Sequence, residues 1–304
     1  MSGKTKIDWA DSTWNPVTGC LHGCEYCYAR RIAERFGMDF APRLCDPGME
    51  GAAKYDSSEG LDTMLELQKP YIKSGKIQPY PMGFYPTFHR YRLDDYKSKK
   101  GRTIFVGFMC DLFGDWVPDE WIQEVFKACE AAPQHRYLFL TKNPDRCVLT
   151  DYISQAFCIH KNWWFGQSVT DFSPNGGLPN AASRSSNIFL SIEPLLDDFA
   201  DYLILDGVRW VIIGAETGKR KDKVVPKKQW IIDIVVECKN QGVPVFMKES
   251  LRGIMGGAFL QEFPWNKKRC SDCTREMCID PQTGIPCPRY KERTDNNASD
   301  IQLD

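Results

Sequence analysis

No stretch of the 304 residues approaches the roughly 18 consecutive apolar residues of a membrane span. The first twenty, MSGKTKIDWADSTWNPVTGC, hold no apolar export region. Both absences lead to the expectation of a cytoplasmic chain with no membrane partner. Charge of one sign is not in excess: 39 Lys and Arg stand against 40 Asp and Glu, a net charge of -1. Attraction for a nucleic acid must therefore come from a local patch, because the molecule as a whole supplies none. Internal repeats and low-complexity tracts are missing, as are a full G-x-G-x-x-G fingerprint and a phosphate loop, which leaves nicotinamide or nucleoside triphosphate chemistry unsupported. Apolar residues are not scarce. At 42% hydrophobic and 12% aromatic the chain can fill a large core, which excludes wholesale disorder.

Cysteine is abundant, with 13 in all, an odd number without an export signal, and seven fall in two tight clusters. That distribution reads as metal binding rather than a disulfide framework. In Trp14-Asn15-Pro16-Val17-Thr18-Gly19-Cys20-Leu21-His22-Gly23-Cys24-Glu25-Tyr26-Cys27 the spacing is C-x3-C-x2-C. Three thiolates in a loop with Gly19 and Gly23 at its turns can hold three corners of a [4Fe-4S] cubane and leave the fourth iron open. The alternative is a zinc site in which His22 completes a tetrahedron. A helix is expected directly afterwards, over Tyr28 to Phe36, ending at Gly37.

Farther along, β-rich runs alternate with polar or helical segments. Strands are expected before Cys20 and at Phe84 to Phe88, Thr103 to Met109, Tyr137 to Thr141, Trp164 to Val169, Ile188 to Ile192, Arg209 to Ile213 and Val243 to Met247. Helices are expected at Asp119 to Ala131 and Lys228 to Asn240. Eight such strands predict an α/β fold, a complete or partial (β/α) TIM-type barrel, with six or seven units as the alternatives. The barrel is assigned to residues 1-255, with an irregular insertion at about 38-82 that holds one helix near Leu61 to Gln68. Residues 256-304 form a Cys-rich extension and a polar tail.

In such a barrel chemistry belongs at the C-terminal ends of the strands. Polar residues there are Asp111, Lys142, Gln167, Ser168, Glu193, Glu216 and Lys248. Glu193, Glu216, Lys142 and Lys248 are the catalytic candidates. Asp111, Gln167, Ser168 and Tyr26 are cofactor-contact candidates, joined by Gly214, whose segment Gly214-Ala215-Glu216-Thr217-Gly218 would let backbone amides approach an adenine or ribose. Just beyond, Lys219, Arg220, Lys221, Lys223, Lys227 and Lys228 make a basic loop, either plainly solvated or able to meet an anionic polymer.

The three-cysteine spacing, with aromatic Tyr26 before the last cysteine, resembles the signature of the radical S-adenosylmethionine (SAM) superfamily. WNPVTGC, MCDLFGDWVPDEW, LFLTKNPDR, WFGQSVTD, FLSIEPLL and WVIIGAETG, in this order, resemble a phage-associated family of radical-SAM-like proteins. The resemblance implies a barrel, cluster ligands Cys20, Cys24 and Cys27, SAM bound at the open iron and cleaved to a 5'-deoxyadenosyl radical, and an external one-electron reductant such as flavodoxin or ferredoxin. It implies no substrate, although a nucleotide or nucleic acid is a candidate. A Gly-Gly-Glu segment after an early strand, usual for the SAM amino group, is missing, and Asp111 or backbone carbonyls are the candidates to replace it.

The second cluster, Cys270, Cys273, Cys278 and Cys287, is spaced C-x2-C-x4-C-x8-C among Pro281, Gly284, Pro286 and Pro288. Four thiolates there suit a second iron–sulfur cluster or a structural zinc. The competing function is a non-catalytic, metal-stabilised nucleic-acid-binding protein that uses the basic loop.

Overall fold

The structure, a computed structural model, describes residues 5, 7–37, 65–149, 156, 159–170, 187–198, 203, 205–218 and 220–265. The C-terminal cysteine cluster, Lys219, the tail and most of the insertion lie outside these residues.

Among the described residues twelve strands form three sheets: β1 (Ser12–Trp14), β2 (Val17–Thr18), β3 (Leu65–Leu67), β4 (Ile72–Lys73), β5 (Lys76–Ile77), β6 (Thr87–His89), β7 (Thr103–Val106), β8 (Arg136–Thr141), β9 (Trp163–Val169), β10 (Asn187–Ile192), β11 (Val208–Ile213) and β12 (Val245–Met247). The main sheet has seven strands in the order β1-β7-β8-β9-β10-β11-β12, every neighbouring pair parallel. Its strands are apolar on both faces, as a sheet covered on both sides requires.

One ring shows that this sheet is curled. Trp9, just before β1, lies 4.6 Å from Phe105 of β7, 6.3 Å from Phe189 of β10 and 6.3 Å from Trp210 of β11. In a flat sheet β7 and β11 would be about 19 Å apart, four strand spacings of about 4.8 Å. The strands therefore wrap round Trp9. Leu138, Trp164, Ile212 and Phe246 complete this interior cluster. The result is a partial TIM-type barrel, open between β1 and β12. The backbone N–H of Glu249, just after β12, donates to Asp8 Oδ2 across that opening at 2.8 Å.

Helices cover the outside. Helix α1 (Tyr28–Phe36) follows the cysteine loop. Helix α2 (Asp119–Glu130) is entered through Pro118, places Asp119 and Glu120 in its first turn where the helix dipole favours anions, and buries Trp121, Ile122, Val125, Phe126 and Cys129 along one stripe. That stripe packs with Phe139, Trp163 and Phe165. Helix α3 is Pro144–Leu149. Helix α4 (Lys228–Asn240) lays Ile231, Ile234, Val235 and Cys238 against Val211, Ile213 and Val245. No helix among the described residues is long and apolar enough to cross a membrane.

Two expectations are corrected. The run from Phe84 to Phe88 contributes no barrel strand: only Thr87–His89 is extended, in a separate sheet between β2 and β3. Pro86 has no N–H to give a ladder, and the chain turns at Gly83 (φ +59) just before it. The helix near Leu61 to Gln68 is not formed at its described end, where Leu65–Leu67 is strand β3, parallel to β6. Leu65 and Leu67 are buried while Glu66 between them meets Arg90 and Trp121, a period of two rather than 3.6.

The bottom of the barrel is closed by residues beyond β12. Met247 N donates to Leu260 O (2.8 Å) and Glu262 N to Val245 O (2.9 Å), so this segment covers the free edge of β12. Trp265 packs on Trp164 and Trp210 at 5.4 and 5.1 Å.

Candidate functional site

The loop after β1 holds the three cysteines over the C-terminal end of the barrel. Gly19 N donates to Met109 O (2.8 Å) and Cys20 N to Phe84 O (3.2 Å). Gly19 sits at φ +89, where a Cβ would lie 2.2 Å from Tyr85 O, so no other residue fits. Cys27 caps α1: its Sγ accepts from Arg30 N at 3.3 Å.

Cys20, Cys24 and Cys27 all border a cavity of about 550 Å³ at the barrel mouth, together with Tyr26, Asp111, Lys142, Ser168, Glu193, Glu216 and Lys248. Burial pushes the Cys20 thiol up to about 12; the His22 backbone amide opposes this, while Asp111, Cys27 and Cys24 add to it. Burial likewise raises Cys110, with Asp111 and Cys20 as further causes. A thiol kept protonated by burial in this way is released by a cation placed beside it.

Asp111 locks the loop to the barrel. Its Oδ1 accepts from Thr141 Oγ1 (2.8 Å) and Phe113 N (3.1 Å), and its Oδ2 from Lys142 N (2.8 Å) and His22 Nε2 (2.8 Å). The His22 ring also stands edge-on to Trp116 at 4.8 Å. His22 Nε2 is thus committed to a carboxylate, and among the described residues no three His, Cys, Asp or Glu side chains converge on one point as the ligands of a single ion must. A cubane presents separate irons to its ligands, so its thiolates stand farther apart than those of one zinc. Three soft thiol donors border one cavity while His22 is engaged elsewhere, and donors of that kind suit an iron–sulfur cluster.

Two of the carboxylates lining the cavity are held by cations. Glu193 pairs with Lys248. Both oxygens of Glu216 accept from Arg220 at 2.8 Å, which holds that carboxyl below the usual range. Lys142 Nζ donates only to hydroxyls, Tyr26 Oη at 2.9 Å and Ser168 Oγ at 3.3 Å, and lies 5.3 Å from the Tyr26 ring centre. Among the described residues it is the cavity cation without a carboxylate partner.

The structure therefore brings together Cys20, Cys24, Cys27, Tyr26, Asp111, Lys142, Ser168, Glu193, Glu216 and Lys248. Gln167 and Gly214 do not border the cavity. Gln167 is buried in β9 one residue from Ser168, and successive strand residues face opposite ways. At Gly214 a Cβ would lie 2.9 Å from Lys248 Cδ and 3.1 Å from Glu193 Cγ, so its missing side chain leaves room for that pair. Sequence reasoning missed Trp9, Tyr28, Phe108 and Ser191, all of which border the cavity. Ser191 was within reach, because it is two residues before Glu193 on one strand face; Trp9 carried no signal.

A family model described as "Protein of unknown function (DUF5131)" matches residues 4–256. No curated protein matches the chain. Among solved structures the chain is similar to spore photoproduct lyase complexed with dinucleoside spore photoproduct, at 12% identity over 86% of this chain and 79% of that one, with a TM-score of 0.42. A mutant of that lyase with bound AdoMet and dinucleoside spore photoproduct gives 13%, the same coverages and 0.42.

Proposed function

The chain belongs to the family described as "Protein of unknown function (DUF5131)", and we propose that it is a radical SAM enzyme. One juxtaposition carries the reading: the three thiols of the C-x3-C-x2-C loop and the unneutralised ammonium of Lys142 border one cavity at the C-terminal end of a parallel barrel sheet. Cys20, Cys24 and Cys27 would hold a [4Fe-4S] cluster. When bound and reduced by an external donor such as flavodoxin or ferredoxin, a cluster with an open iron supplies reductive cleavage of SAM to a radical that abstracts hydrogen.

The protein's own part is to bind, orient and keep water out. Lys142 offers its positive charge to an anionic group of the cofactor, which in SAM is the carboxylate, with Tyr26 and Ser168 holding the ammonium in place. The Glu193–Lys248 pair presents a donor and an acceptor to whatever enters. Trp9, Phe105, Phe108 and Leu140 line the interior with apolar surface, which restricts water near a reactive intermediate. Asp111, with four donors already on its oxygens, is a positioning residue rather than the substitute for a Gly-Gly-Glu contact. A non-catalytic binding protein has no use for three thiols facing an internal cavity. A reducing cytoplasm suits an oxygen-sensitive cluster of this kind.

Anaerobic purification and reconstitution should give about four irons per chain, or about eight if Cys270, Cys273, Cys278 and Cys287 hold a second cluster. Adding SAM should alter the electron paramagnetic resonance spectrum of the reduced protein. Alanine at Cys20, Cys24 or Cys27 should abolish SAM cleavage; zinc with no iron in the wild-type protein would overturn the reading.

A further inference from the structure

Two segments far apart in sequence meet at the cavity entrance. Arg31 Nη2, in the first turn of α1, donates to Thr217 O at 3.4 Å and to Tyr26 O at 3.5 Å, which ties the helix to the loop after β11. Gly218, at φ +104, brings its backbone against the Arg31 guanidinium, 3.0 Å from where a Cβ would stand. The two segments expose Arg31, Arg35, Lys221, Lys223, Lys227 and Lys228 against only two exposed acids of their own, Glu34 and Asp222. Arg220 engages Glu25 and Glu216, and the exposed Asp8 and Glu249, which also border the cavity, belong to the opening between β1 and β12 rather than to these two segments. In a chain of net charge -1 this is a segregated positive face.

A flat surface lies beside it. Tyr28, 39% exposed, borders the cavity and stacks on Phe108 with ring centres 5.2 Å apart and planes at 26°. Its Oη donates to Phe108 O at 3.3 Å, which fixes the ring at the entrance. Cations that follow a backbone and an aromatic ring that takes a base are the two parts of single-strand recognition.

We propose that this face binds a nucleic-acid strand, with phosphates running over α1 and the loop 217–228 and one unpaired base stacked on Tyr28 at the cavity mouth. The proposal names the substrate class of the radical enzyme and rests on that reading for its purpose, but the binding itself needs no cluster. An unpaired base is required because a base inside a duplex cannot reach an enclosed site.

The test is fluorescence anisotropy of the full chain with labelled DNA and RNA single strands of about 20 nucleotides and with a duplex, at about 50 to 250 mM salt, beside flotation with phosphatidylserine vesicles. Single strands should bind more tightly than the duplex, with log affinity falling linearly in log salt; preference between DNA and RNA identifies which strand it is. Lys221→Glu combined with Lys223→Glu should weaken binding at least tenfold and flatten the salt slope by about 1 to 2, while reductive SAM cleavage without substrate is kept. Tyr28→Ala should weaken binding about tenfold with the slope unchanged, and Tyr28→Phe should restore it. Binding to vesicles alone, or strand binding indifferent to the Lys221 and Lys223 reversals, overturns the proposal. Failure to bind any strand alongside intact SAM cleavage sinks this inference and spares the radical reading. Strand binding by a chain that takes up no iron does the reverse.

Discussion

Asp111 gathers four donors from three parts of the chain: His22 of the cysteine loop, Phe113 beside it, and Thr141 and Lys142 at the end of β8. Replacing it with alanine strands those donors in a buried position, so Asp111→Ala should cost about 3 kcal/mol or more in urea unfolding. It should also lower the iron retained after reconstitution, because the loop loses its tie to the barrel. Asp111→Asn, which keeps the shape and one acceptor, should cost less; equal losses would show that the carboxylate is not the tie. The cysteines were legible in the sequence because their spacing is local. The role of Asp111 was not, since its link to His22 joins residues 89 positions apart. The same holds for Gly214: its segment looks like a ligand loop, yet its missing side chain serves the Glu193–Lys248 pair.

Strands and helices were legible where burial on both faces gave continuous apolar runs bounded by turns. Helix α4 begins and ends where its pattern does, and β8 to β11 lie within a residue of expectation. Elements failed where the run was short and its partner unknown. Thr87–His89 and Leu65–Leu67 pair with each other, and neither segment alone says so. Curvature was also hidden, because it depends on Trp9 filling the space enclosed by the sheet. Trp9→Ala should therefore cost about 3–5 kcal/mol, read from denaturant midpoints; a loss below about 1 kcal/mol would mean that the barrel does not close round that ring.

The small sheet is tied to α2 by a charged network. Arg90 makes a bidentate pair with Glu66 (3.2 and 3.1 Å) and also bonds Glu124, and Trp121 Nε1 donates to Glu66 at 2.7 Å. Burial alone would raise the Glu66 carboxyl, but the Arg90 and Trp121 hydrogen bonds and the Arg90 charge outweigh it and hold it below its ordinary value. A carboxyl depressed on folding stabilises the protein fully above its unfolded value and loses that contribution as pH falls through the folded one. The stability advantage of the wild type over Glu66→Gln should thus be constant at neutral pH and shrink below about pH 4.3. A gap that widens on acidification would contradict the assignment.

At the scale of the whole molecule the family match stops at residue 256, but the barrel does not. Residues 260–262 cover the open edge of β12 and Trp265 seals the interior rings. A chain cut after 256 should lose several degrees in thermal midpoint and aggregate, because an uncovered strand edge pairs with its like. Unchanged melting and solubility would show that the segment is dispensable.

The tie between the cysteine loop and β8 also sets an order in time. Lys142 is 116 residues beyond Tyr26, the residue whose hydroxyl it grips. At about 5–20 residues per second, the three thiols leave the ribosome roughly 6 to 23 seconds before the strand that fastens their loop. During that interval they are loose ends of a nascent chain, open to oxidation or to the wrong metal. If the three thiols hold the proposed cluster, its delivery belongs after release of the first half of the barrel, and a cell starved of its iron–sulfur carriers should accumulate a chain that is folded but empty.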